Sequence, residues 1–190
     1  VLAAFHESKA SGKGQVVDAA ITEGTANLMS LFYTLGSIGS WSPRRASNLL
    51  DSAAHFYDSY ETLDEKFITL GAIEPQFYAV MREKMDLSDD DFAKQNDPRL
   101  WAQLKQKIAD KVKQKTQQQW CDLMEGTDAC FAPVLDLYQA PEHHHMKARH
   151  AYVEHNGKVQ PAPAPKFSRT PSTVRDASKV SINDIAKAWA

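Results

Sequence analysis

Between residues 55 and 73 apolar and polar positions alternate in two runs, "HFYDSYET" and "KFITLGAI", joined by the short polar turn Leu63-Asp64-Glu65. A period of two broken by a polar turn predicts a β-hairpin, with Phe56, Asp58 and Tyr60 on one face and His55, Tyr57 and Ser59 on the other. The period then changes. Phe77, Val80, Met81 and Lys84 recur at the spacing of one helix face, which predicts a helix over 75–85. In "PRLWAQLKQKIADKVKQK" the residues Trp101, Leu104, Ile108 and Val112 form a single apolar stripe, with Asp97 as N-cap and Pro98 in the first helical position. Ser88 with Asp91, Thr116 with Gln119 and Ser181 with Asp184 carry capping-box spacing and mark three more helix starts. Gly126 can end the second of these. "ACFAPVL" reads as a short buried strand, 137–149 as a helix, and "AYVEHNGKVQ" as a hairpin turning at Asn156-Gly157.

The flanks read differently. "GQVVDAA" predicts a short strand, and Ile21, Leu28, Leu31, Phe32 and Leu35 predict a buried helix over 19–35. "GSIGSWSPRRASN" is a Gly-, Ser- and Pro-rich linker, while "PAPAPKFSRTP" should run extended. The opening "VLAAFHESKASGKGQ" starts without Met on an apolar helical pattern and breaks at Gly12 and Gly14. That predicts the last turns of a helix in a longer chain. The fold class expected is α+β, a small mixed unit with flanks of different character.

Composition narrows the function more than the fold. The chain has 190 residues, 43% hydrophobic and 24% charged, with a formal net charge of −2, enough for one ordinary domain. This balance gives no electrostatic case for nucleic acid or an anionic membrane, so neither is an expected partner. No apolar run reaches the roughly 18 residues of a membrane span. Cys121 and Cys130 make no disulfide framework and no metal-spaced pair, which points to a reducing, cytoplasmic setting with both thiols packed.

Several motifs have an ordinary explanation. Consecutive side chains on a helix diverge, so His143, His144 and His145 read as a surface helix start and no metal is expected. The lysines of "KQKIADKVKQK" lie opposite the apolar stripe and form a solvated face. "SDDDF" lacks the glycine and distal glutamate of a calcium loop, and "SGKGQ" has too little of a phosphate-loop pattern. No spacing points to a nucleophile–base triad.

One carboxylate is oddly placed. In "GAIEPQ" the apolar run ends at Ile73, and Pro75 biases Glu74 away from helix while suiting the first turn that follows. Glu74 therefore belongs at a strand-to-helix corner beside the positive end of a helix dipole. It is either a capping acid or a site carboxylate, and the local sequence does not choose.

"SGKGQVVDAAITEG", "FYDSYETLDEKFITLGAIEPQFY" and "WCDLMEGTDACFAPVLDLYQAPEHHHMKAR", with "QPAPAPKFSRTP" beyond them, resemble in order and spacing the α-methylacyl-CoA racemase branch of the family III CoA-transferase superfamily. The resemblance implies a large CoA-binding α/β domain and a small α+β domain, in chains that interlock as a homodimer. On this basis 1–40 is the tail end of the large domain, 41–54 a linker, 55–140 the small domain, and 141–190 the return linker and C-terminal helix. The implied reaction of fatty-acid and lipid metabolism inverts the 2-methyl-bearing carbon of an acyl-CoA thioester through an enolate. The CoA thioester is substrate, with no separate cofactor. The acid–base pair of the branch, a His and an Asp, matches nothing in this chain, since His6 and Asp18 have the wrong surroundings. The chain alone is thus expected to be inactive. Glu74 matches the small-domain carboxylate that helps orient the catalytic His, and Tyr57 and Ile73 match positions lining the acyl pocket, although core packing explains those two equally well. A family III CoA-transferase and a non-catalytic dimerisation module remain the alternatives; the single glycine of "GAIEPQ" counts against the Gly-rich loop of the former.

Overall fold

A computed structural model describes residues 1–176 and 181–189, the side chains of 188 and 189 excepted. Residues 177–180 of the expected return linker, and residue 190 of the expected terminal helix, lie outside the described residues. The chain divides into two compact units, Val1–Ala132 and Pro133–Ala190.

The first unit carries the main core. The strands β1 (Tyr57–Glu61) and β2 (Phe67–Gly71) pair antiparallel, with Tyr57 opposite Gly71 and Tyr60 opposite Ile68. A third strand, β3 (Phe131–Val134), completes the sheet in the order β1-β2-β3. One sheet face presents Phe56, Tyr60, Ile68 and Leu70, all buried, to the helices α4 (Pro75–Lys84), α5 (Trp101–Val112) and α6 (Gln117–Met124). The stripe on α5 behaves as its spacing predicts, with Leu104, Ile108 and Val112 fully buried and Trp101 half-buried. On α6 the Thr116–Gln119 capping box forms in both directions. Trp120 is fully buried and its Nε1–H donates to the Val112 carbonyl at 3.0 Å, tying α6 to the end of α5.

A buried polar knot sits in this core. The Tyr78 hydroxyl donates to the Phe92 carbonyl at 2.9 Å and lies 2.7 Å from His55 Nε2. A hydroxyl has one proton, so His55 must donate from Nε2, leaving Nδ1 buried with no partner. Burial holds the imidazole pKa down at about 4.

Several expectations are corrected. Residues 14–20 form no strand. Instead of one buried helix over 19–35 there are two, α2 (Ile21–Leu28) and α3 (Ser30–Ser37), preceded by α1 (Leu2–Ser11), and none of the three buries a residue. Their apolar side chains have the right spacing, but Ile21 is 86% and Leu28 81% exposed, and Phe32, edge-on against Trp41, and Leu35 are half-covered. On α4 the buried positions are Tyr78 and Met81, with Phe77 and Val80 half-buried. Asp89, rather than Ser88, caps the 3₁₀ turn Asp90–Ala93 by accepting from the Asp91 amide. Asp97 caps a turn that precedes α5, accepting from the Arg99 amide at 3.0 Å. β3 is an exposed strand, with Val134 43% exposed, and Cys130 at its start is exposed, whereas Cys121 is buried.

In the second unit the expected helix over 137–149 shrinks to a 3₁₀ turn, Ala140–Glu142, and α7 (His144–Ala148). The His143 ring accepts from the His145 amide as a cap, so the histidine run does start a short exposed helix. The strands β4 (Tyr152–His155) and β5 (Lys158–Pro161) pair antiparallel around Asn156 and Gly157 at φ 52° and 73°, the left-handed pair a two-residue hairpin turn requires. The final helix is α8 (Ile182–Trp189), with Ser181 and Asp184 bonded reciprocally at its start.

Candidate functional site

Glu74 sits where β2 hands over to α4. Its backbone is extended, at φ −75° and ψ 139°, and its carbonyl accepts the first helical bond, from the Tyr78 amide at 2.9 Å. Pro75 occupies the first helical position, where its missing N–H costs nothing. The Glu74 side chain caps no amide of α4, is exposed, and has no hydrogen-bond or ion-pair partner among the described residues. The helix start therefore makes no use of this carboxylate.

What fixes the corner is Gln95. This residue is 93% buried in effect, exposing only 7% of its surface, and its Nε2 donates to the carbonyls of Ala72 at 3.0 Å and Ile73 at 2.9 Å. Its own carbonyl accepts from Trp101 Nε1 at 2.8 Å. The two peptides before Glu74 are thereby held from the start of α5.

The other face of the sheet is open. A concavity of about 500 Å³ is lined by Tyr57, Ser59, Thr69, Gly71, Cys130 and Phe131, among others. Tyr57 and Gly71 are cross-strand partners, and a Cβ built on Gly71 would lie 3.9 Å from the Tyr57 ring and 3.7 Å from the Cys130 carbonyl. A methyl there would fit, but it would thicken the floor of the concavity. Cys130 adopts the left-handed region at φ 48° and its carbonyl accepts from the Gly71 amide at 2.9 Å. The Cys130 thiol is pushed up by burial first, then by the negative charges of Glu74 and Asp128.

Of the three residues singled out from sequence, Tyr57 lines the concavity; Glu74 is not among the lining residues, although its charge acts on the Cys130 thiol at the edge. Ile73 is half-buried against the core and is not among the lining residues. The charged residues beneath are already matched. Lys105 pairs with Asp58 and donates to the Ser52 carbonyl; Lys107 meets Asp89, Lys111 meets Asp86 at 3.3 Å, and Lys113 meets Glu61 at 2.8 Å. The lysine face of α5 is thus a zipper to neighbouring acids rather than a freely solvated face or a polyanion site. Gln95 escapes the sequence reading because it belongs to no periodic stripe or motif, and Cys130, read there as a packed thiol, is exposed instead.

These elements make an α+β protein whose sheet has one buried face and one open face. The chain belongs to the CoA-transferase family III, whose family model matches residues 1–178. It is 40% identical over 173 residues to the alpha-methylacyl-CoA racemase of Mus musculus and 38% identical to that of Homo sapiens, in each case over 90% of this chain and 45% of the relative. A CaiB/baiF CoA-transferase family protein of Caenorhabditis elegans is 26% identical over 167 residues, covering 86% of this chain and 46% of its own. The crystal structure of Rv3272 from Mycobacterium tuberculosis shares the fold, with a TM-score of 0.68 at 16% identity, covering 92% of this chain and 46% of that one. The chain spans less than half the length of these relatives.

Proposed function

We propose that this chain is the small-domain part of an acyl-CoA racemase that inverts the carbon next to a thioester carbonyl, with Glu74 as its contribution to the site. The observation that carries this reading is a carboxylate on a clamped corner that neither caps its helix nor pairs with a cation among the described residues. The relatives named alpha-methylacyl-CoA racemase support the reaction class. The α-proton of a thioester is weakly acidic, so its removal needs a base on one face, donors for the enolate oxygen, and an acid on the opposite face. Glu74 accepts a hydrogen bond from the catalytic imidazole of a completed site and fixes its orientation, while Tyr57 and Ile73 border the acyl chain. The acid–base pair itself comes from outside this chain, the substrate is a 2-methylacyl-CoA, and no separate cofactor takes part. An interlocked homodimer and a cytoplasmic place in lipid metabolism complete the proposal.

The test joins this chain to the N-terminal half of a racemase relative and follows exchange of the α-proton of a 2-methylacyl-CoA with deuterium. The joined protein exchanges the proton; the 190-residue chain alone does not. Glu74→Gln in the joined protein lowers turnover at least tenfold, the loss of about one charge-assisted hydrogen bond, with little change in melting temperature. A large drop in melting temperature with normal kinetics would overturn the assignment.

A further inference from the structure

Glu74 is exposed and none of the described residues bonds to its side chain, so its usefulness depends on the backbone that carries it. Among the described residues, one buried side chain hydrogen-bonds to that backbone from another part of the sequence. Gln95 lies 22 residues beyond Ile73, in a turn between the 3₁₀ helix and α5, yet both its side-chain amide bonds go to the peptides immediately before Glu74. A side-chain amide supplies two N–H donors, and here one is spent on each carbonyl. Trp101 then fixes Gln95 through its own carbonyl. Three residues on three segments thus form a relay from the first turn of α5 to the carboxylate.

We propose that Gln95 is a positioning residue for Glu74, its side-chain amide setting where that carboxylate stands relative to the open sheet face. The alternative, in which Gln95 only satisfies two buried carbonyls, predicts a loss of stability without movement of Glu74. The two differ in what a nearby reporter feels. Cys130 is that reporter, because the Glu74 charge raises its thiol pKa. Burial acts first and Asp128 acts in the same direction as Glu74, so the double variant with Glu74→Gln is what separates a Glu74-mediated shift from the other two. Cys121 is buried, with burial pushing its thiol up to about 11, and is told apart from Cys130 by peptide mass.

The functional meaning of this inference rests on the reading of Glu74 given above, but its test involves no turnover. Alkylation of Cys130 by iodoacetamide is measured against pH in the 190-residue protein, alongside thermal unfolding. Glu74→Gln lowers the Cys130 midpoint and raises the thiolate fraction at pH 8. Gln95→Met, which keeps the length and removes both donors, lowers it in the same direction, and the double variant with Glu74→Gln adds nothing further. Trp101→Phe, which removes the donor to the Gln95 carbonyl while keeping a ring against Phe56, gives a smaller shift of the same sign and serves if Gln95→Met does not fold. Gln95→Met that melts earlier yet leaves the Cys130 midpoint at the wild-type value, or a double variant whose shifts simply add, would overturn the proposal. If the midpoints move as expected while the joined enzyme ignores Glu74→Gln, the racemase reading fails and the positioning role stands.

Discussion

His55 gives up its proton to burial, and the cost of that choice is readable as a pH dependence. With the folded pKa held near 4 and the unfolded value at 6.5, the unfolded chain binds the proton that the folded chain refuses. Stability from this group is therefore complete above about pH 6.5 and is lost as pH falls toward 4. The full span corresponds to about 3 kcal/mol, of which about 2 is gone by pH 5. Urea unfolding of wild type against His55→Gln, at pH 7 and pH 5, should show the variant losing less stability on acidification by about that amount. At this same scale Glu74 was legible beforehand, because a proline after an apolar run leaves few places for a residue to be. Gln95 was not, since its partners are 22 and 23 residues away and only the folded chain brings them together. His55 read as a sheet-face residue, and nothing local announced that Tyr78 would choose its tautomer.

Elements with their own punctuation were legible, the β1–β2 hairpin and α6 to within two residues and α5 with its start displaced by three because Asp97 caps the preceding turn. The β1–β2 hairpin, α5 and α6 each combine a clear period with a turn or cap signal. Thr116→Ala removes one side of the capping box and should lower stability by about 1 kcal/mol, measured by chemical denaturation with unchanged far-ultraviolet spectrum at zero denaturant. The flanks were misjudged for a physical reason. A helical period states which side chains share a face, not whether anything buries that face, and α2 and α3 have the period with no residue fully buried. β3 fails in the opposite direction. Its run is apolar enough for a core strand, but the helices pack on the far side of the sheet, leaving Ala132 and Val134 exposed.

For the whole molecule the uncovered apolar surface sets the solution behaviour. Ile21, Leu28, Leu31 and Tyr33 are each more than half exposed on adjacent short helices, enough to favour association. Sedimentation velocity should show concentration-dependent self-association, and Leu28→Lys with Leu31→Lys should reduce it without altering the melting temperature; a monomer throughout would contradict this. Because residues 1–40 bury no side chain, whereas Phe56 through Ala129 hold the core, heat absorbed on melting must come almost wholly from the later stretch. A protease that nicks near Ser40 should accordingly leave a trimmed species whose calorimetric peak keeps its position and nearly its area.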